Sequence, residues 1–524
     1  MRKVGLSLLL VVTLAGCTKT AESDPSTAAV STVAGFTDNS SAPTSSTVPG
    51  TTIPPPEVFD LFSGQGYDLE VFRAGLIESE RDVVDQLFGV APLYEADIVL
   101  RPDLTGFDGL YSVTYTNTED VTLDEVVFRL FPNVSDGATI VSDLTVDGTS
   151  VDAVYELEDS VLRVPVAGLA PGESVVIAMD LSVSVPIDEG GKYGTFLLDD
   201  GILSLAHALP LAAVYDDEGW NTEIAPPSGD SVYSDSGFFL VRVASESGLE
   251  LVTSGSLVAT EVLPDGTETR LYAGAPMRDF YMAVGDFERV QARSGDTVVN
   301  AYAPAEFHER NQMIADFTVS ALDVFADLYG AYPFSELDIV STRTLALGVE
   351  YPGAVAMAMG HYDPDEQFDD PTIVSTIVHE VAHQWFYSTV GNDQLDEPWL
   401  DESMAQYATW KWWDATQGPV AADGFEAHLD SRWERVDYAD IPIGLPVAAY
   451  EDAEYGAIVY GRGPLEIGNL AGPMGGQDEL DSFLRQYAED FQYGIVTSVG
   501  FEEAAEAWCG CDLSEEFLAV VFPR

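Results

Sequence analysis

Basic residues are scarce: 22 Lys plus Arg stand against 88 Asp plus Glu, a formal net charge of -66 over 524 residues. Nucleic-acid binding, or docking on anionic lipid through a basic face, is disfavoured on that count. Cysteine occurs three times, and Cys17 is alone before Cys509 and Cys511. Histidine occurs six times, so a close pair is not a by-product of a His-rich composition. After the first residues no run is long and apolar enough to cross a bilayer, and no internal repeat of fixed period stands out. What is present is a hydrophobic fraction of 46% with 11% aromatics, enough for a sizeable core. An acidic but folded protein is implied, with a coat suited to a salty medium where charge is screened.

Two of the six histidines lie in His379-Glu380-Val381-Ala382-His383, and Glu402 follows after eighteen intervening residues. Residues four apart on a helix differ by only ~40° and ~6 Å of rise, so both imidazoles converge on one ion. Glu380, ~100° round from His379, reaches a water at that ion without being a ligand, which is the position of a general base. The spacing predicts a helix from Asp370-Pro371 with an apolar face of Ile373, Val374, Ile377, Val378 and Val381, ending at Gly391. Glu402 opens a second helical stretch running towards Trp413. It completes a His2Glu ligand set with one position left open, the pattern of a catalytic zinc site.

The chain opens with Arg2-Lys3, an apolar run from Val4 to Leu14, and Leu14-Ala15-Gly16-Cys17. That is an export signal, and its ending resembles the bacterial lipobox. The resemblance implies a signal peptide over 1–16, lipidation of Cys17 and a mature protein tethered to the outer face of the bacterial membrane. Residues 17–57, rich in Ser, Thr, Ala and Pro, cannot offset their ordering entropy by burial and are expected to be a flexible stalk.

Residues 66–92 carry a short helical lead-in, and the apolar period then changes to two. Segments such as Gly109–Tyr115, Glu125–Leu130, Val161–Val166 and Ser174–Met179 are expected strands, as are Phe238–Val243, Glu250–Thr253 and Phe280–Val284. The fold class is therefore α+β, with a mostly antiparallel β domain over 93–292 and a mixed α/β domain over 298–524. In the second domain a helix over Phe307–Tyr329 ends at Gly330, and Leu337–Val340 makes a strand. A short extended piece around Gly348-Val349-Glu350 leads to the metal helix. At a sheet edge it lets a peptide add as a further strand, with Gly348 permitting close backbone approach and Glu350 placing a carboxylate beside the site.

In order, Gly348-Val349-Glu350, His379–Phe386, Trp399-Leu400-Asp401-Glu402 and Val459-Tyr460-Gly461-Arg462-Gly463 resemble the landmarks of the M1 family of zinc metallopeptidases, the gluzincins. The resemblance covers roughly 93–524 and implies a thermolysin-like catalytic domain holding one zinc ion. It implies that His379, His383 and Glu402 bind the metal and that Glu380 is the base. Tyr460 would donate to the oxyanion, and Glu350, with Gly348 beside it, would take the free α-ammonium of a peptide. The activity implied is that of an aminopeptidase acting on extracellular peptides. A broader gluzincin hydrolase, cutting internal bonds or a non-peptide substrate, and a surface binding lipoprotein with a vestigial zinc site are the alternatives.

Some positions depart from the family pattern. Leu347, Val349 and Tyr351 replace a Gly, Met and Asn around Glu350, and Asp401 and Ser403 replace an Asn and a Gly around Glu402. Ser204–Pro210, where the family places a second polar contact to the amine, contains no Gln or Glu. A helical C-terminal domain found in many relatives is not expected within residues 1–524, which implies a more open cleft. Cys509 and Cys511 are expected to be structural, bonded to each other or free.

Overall fold

A computed structural model describes residues 61, 68–188, 190–362 and 370–522. The expected signal peptide, Cys17 and stalk lie outside these residues.

Hydrophobic alternation governs the first two-thirds of the chain. Strand Ser174–Ser184 buries every second residue from Val175 to Val183, the pattern of a sheet with one face on the core. An eight-stranded sheet runs in the spatial order 256–262, 267–277, 237–246, 93–100, 106–116, 174–184, 138–146, 149–150. Its pairings are antiparallel except that of 93–100 with 237–246. Two four-stranded sheets pack with it. One is ordered 250–253, 282–285, 202–205, 196–199, and the other 211–212, 123–129, 161–169, 154–156.

The sheet of the second region, the expected catalytic domain, has five strands in the order 288–294, 297–303, 336–342, 354–358, 348–351. Strand Glu288–Ser294 thus belongs to this sheet through its hairpin with Thr297–Ala303, so the change from one region to the next falls a few residues before 292. Gly348–Tyr351 is the edge strand, antiparallel to Ala354–Ala358. Helix His308–Tyr329 covers the sheet and stops at Gly330, whose φ of 101° a side chain would resist. The lead-in helices Glu70–Arg73 and Asp82–Leu87 connect the regions. Phe72 packs edge-on to Phe238 in the large sheet, and Ile77 N–H donates to Pro333 O at the entry to the catalytic sheet.

Arg278 ties the same regions together. Its guanidinium is buried and donates to the carbonyls of Ser234, Tyr387, Thr389 and Gly494. A Cβ at Gly391 would lie 2.2 Å from its Cζ, so only glycine fits there. Gly391 is therefore not the end of the metal helix, as expected from the sequence. The helix runs Asp370–Ala382, and the chain then turns tightly, with Ser388 N–H on His383 O and Tyr387 at φ 115°. Cys509 and Cys511 are bonded to each other at the end of helix Ser498–Cys509. Among the described residues no helix is long and apolar enough to cross a membrane.

Candidate active site

Helix Asp370–Ala382 buries Ile373, Ile377, Val378 and Val381 and turns His379 and Glu380 towards a cleft of about 510 Å³. His383 lies one residue beyond the helix but keeps its register, because its N–H still bonds His379 O. Glu402 is the first residue of helix Glu402–Gln417. Asp401, where the family has Asn, caps that helix by accepting from Glu402 N–H at 2.6 Å.

The three expected ligands meet. His379 Nε2 is 3.1 Å from Glu402 Oε2, His383 Nε2 is 3.2 Å from His379 Nε2, and His383 Nε2 is 3.5 Å from Glu402 Oε2. Donors ~2.0–2.1 Å from one tetrahedral ion are separated by about 3.3 Å, so the residues present fit zinc. His383 donates its Nδ1–H to Phe386 O at 3.1 Å, which turns Nε2 towards the other two ligands. Glu350, Glu380 and Glu402 are all buried around the two imidazoles. Such a concentration of carboxylates calls for a cation.

The electrostatics agree. Burial alone would depress His383, but Glu350, Glu402 and Glu380 outweigh it and raise its pKa well above the ordinary value. Burial also favours the neutral form of Glu402, yet its hydrogen bonds to His379 and His383 hold it far below the usual carboxylate range. Glu380 is raised well above that range, first by burial and then by Glu350. Glu350 is pushed up to about 8 by burial, then by Asp230.

Close approaches explain three glycines in the stretches that the sequence singled out. A Cβ at Gly348 would sit 2.5 Å from the Glu380 carboxyl, so this strand reaches the base only because residue 348 lacks a side chain. A Cβ at Gly461 would meet Leu429 O at 3.0 Å and Arg432 Cβ at 2.8 Å, and one at Gly463 would meet Ser403 Oγ at 2.0 Å. Both glycines let the π-helical turn Ile458–Arg462 nest between helices Pro419–Glu434 and Glu402–Gln417. Ser403, where the family has Gly, secures the turn by donating to Val459 O at 2.6 Å. Tyr460 is thereby delivered to the ligands. Its hydroxyl donates to Glu402 Oε1, and its ring centroid lies 5.9 Å from that of His379.

All seven expected residues of the cleft are therefore together: Gly348, Glu350, His379, Glu380, His383, Glu402 and Tyr460. Ser204–Pro210 does not line the cleft. Its His207 instead pairs with buried Asp279 at 2.5 Å and packs against Tyr351. Asp230 lines the cleft in its place, and sequence reading missed it because it sits in a Pro/Gly/Ser loop with no periodicity. Arg432, also in the wall, was likewise unmarked, one polar residue on a mostly exposed helix.

With this geometry in place, comparison with known proteins is decisive. The profile of the Peptidase family M1 domain matches residues 314–518. These residues are similar to a family M1 peptidase domain. The zinc metallopeptidases of this family imply one catalytic zinc, and His379, His383 and Glu402 form a group that could hold it. Among similar proteins, mitochondrial aminopeptidase 2 of Saccharomyces cerevisiae is 24% identical over 52% of this chain and 30% of its own length. Aminopeptidase 2 of Candida albicans is 21% identical over 84% of this chain and 48% of its own. The chain thus spans about a third to a half of these relatives. The crystal structure of an M1 zinc metallopeptidase from Deinococcus radiodurans shares the fold, with a TM-score of 0.60 and 19% identity over 83% of this chain and 94% of that one. A mutant of the same enzyme bound to Tyr-Ser-Ala superposes equally well, at a TM-score of 0.60.

Proposed function

We propose that the chain is a zinc-dependent aminopeptidase that removes N-terminal residues from extracellular peptides. The observation that carries this reading is the placement of Glu350 and Asp230 in the cleft wall beside the metal ligands. Two carboxylates so close raise each other's cost of ionisation, and a peptide α-ammonium relieves it. An internal peptide bond offers no such cation.

Zinc, when bound, acts as a Lewis acid that polarises the scissile carbonyl and makes water a competent nucleophile near neutral pH. The remaining steps belong to side chains. The substrate backbone lies along edge strand Gly348–Tyr351, and Glu350, steadied by Gln394 Nε2 at 3.3 Å, holds the ammonium with Asp230. Glu380, its pKa raised by burial, takes the proton of the attacking water and passes it to the departing amine. Tyr460, whose phenol is kept protonated by burial and by Glu402, donates to the oxygen that becomes negative in the transition state.

The proposed cellular setting is outside the bacterial membrane, on a lipid at Cys17. The Leu-Ala-Gly-Cys ending of the apolar leader supports it. Replacing Cys17 with Ser should move the protein from the detergent phase to the soluble fraction; unchanged partitioning contradicts the anchor. Activity is tested with matched free-amine and N-acetylated peptides, with and without a chelator. The free-amine peptide should be cleaved by the zinc-loaded protein alone, and equal cleavage of the blocked one would mean a broader hydrolase.

A further inference from the structure

Arg432 in the cleft wall has no assigned role. Glu350 lies within 4.8 Å of Glu380 and His383, whereas Arg432 stands against the ring of Tyr460, whose hydroxyl bonds Glu402. Glu350 therefore meets the site at His383, and the guanidinium meets it by way of Tyr460 and Glu402. Arg432 reaches the cleft from helix Pro419–Glu434, with its guanidinium carbon 5.7 Å from the centre of the Tyr460 ring. Its Nε–H donates to His428 Nε2 at 3.2 Å.

Its two terminal nitrogens bond no carboxylate among the described residues. Arg462, thirty positions on, has Asp440 and Glu466 at 3.1 Å and Ile441 O at 2.7 Å. Arg278 has four carbonyls. Of these three, Arg432 is the one that lines the cleft, and its terminal donors are uncommitted.

We propose that Arg432 binds a carboxylate of the substrate on the leaving-group side of the scissile bond, which makes short peptides with a free C-terminus, or peptides acidic at that side, the preferred class. This rests on the aminopeptidase reading, deepening it by fixing the far end of the substrate. Tyr460 spans the interval, with its hydroxyl at Glu402 and its ring under the guanidinium. The planar guanidinium matches a carboxylate bidentately, which a lysine cannot.

The test compares three tripeptides with the same free N-terminal residue: one with a free C-terminus, its amide, and an amide carrying Asp in the last position. The wild-type zinc enzyme should favour the first over the plain amide by about 10–100-fold in kcat/KM, the worth of a charged hydrogen bond. Arg432→Gln should erase that preference, bringing the kcat/KM ratio of free acid to plain amide to about one, and Arg432→Lys should restore part of it. Rescue by the Asp-bearing amide assigns the site to acidic side chains as well; no rescue confines it to the chain terminus. Equal loss on all three substrates in Arg432→Gln, or no preference in wild type, overturns the proposal and leaves Arg432 as a support for Tyr460. Calorimetric binding of the free tripeptide and its amide to zinc-loaded Glu380→Gln separates the two readings. Carboxylate-dependent binding without hydrolysis by wild type would sink the peptidase and keep the anchor, whereas hydrolysis with carboxylate-independent binding would do the reverse.

Discussion

Glu380 and His383 are both buried in the same acidic cluster, and the proposed roles of base and ligand predict different variants. Glu380→Gln should keep one zinc per chain, measured by atomic absorption, and lose about 10²–10⁴-fold in turnover. His383→Ala should lose the metal itself. Zinc missing from Glu380→Gln would show that base and ligand have been confused. Gly348 offers a sharper probe, because the pair Gly348 and Glu380 touch: Gly348→Ala must displace the base carboxyl and is expected to cut kcat by about 10²-fold with zinc retained. Asp393 tests electrostatics away from the metal. Burial pushes its carboxyl up to about 7, against N–H bonds from Asp396 and Leu395. Its protonated form therefore favours the folded state, so stability is lost as pH rises from the ordinary value of 3.8 through 7. Asp393→Asn keeps the acceptor oxygen, so its Tm should match wild type near pH 4 and exceed it at pH 8. A difference of opposite sign, or one constant with pH, would contradict this.

At the scale of elements, what was legible in the sequence was whatever local periodicity or spacing encodes. The His379 and His383 register, the start of helix Glu402–Gln417 and the edge strand at Gly348–Tyr351 all fall where the pattern put them. The end of the metal helix did not, because Gly391 serves a partner over a hundred residues away, and a local reading sees only a helix stop. The same holds for Asp230 and Arg432, which enter the cleft through tertiary approach. Arg278 is the extreme case, one buried guanidinium satisfying carbonyls from both regions. Arg278→Met would leave the buried carbonyls of Ser234, Tyr387 and Thr389 without their donor, at a cost of about 3 kcal/mol or more. A denaturant melt should show that loss in the midpoint, and a midpoint within error of wild type would mean that water replaces the side chain.

Across the whole molecule, the lead-in helices, the large sheet and the catalytic sheet share one connected core, since Phe72, Phe238, Phe334 and Trp385 belong to one buried cluster. The net charge of -66 acts on that unit as self-repulsion. Salt screens charges beyond about 10 Å at 0.1 M and about 3 Å at 1 M, so the urea midpoint should rise as NaCl is raised towards molar concentrations. An unchanged midpoint would show that the acidic coat is energetically silent. The central claim concerns the ends of the substrate that this assembly presents to its metal helix. It is tested most directly by the rate of cleavage of one peptide with its α-amine free or acetylated, in zinc-loaded protein and after chelation. The account predicts cleavage of the free-amine peptide only, abolished by the chelator and restored by zinc. Equal rates on the two peptides, or turnover that survives chelation, would contradict it.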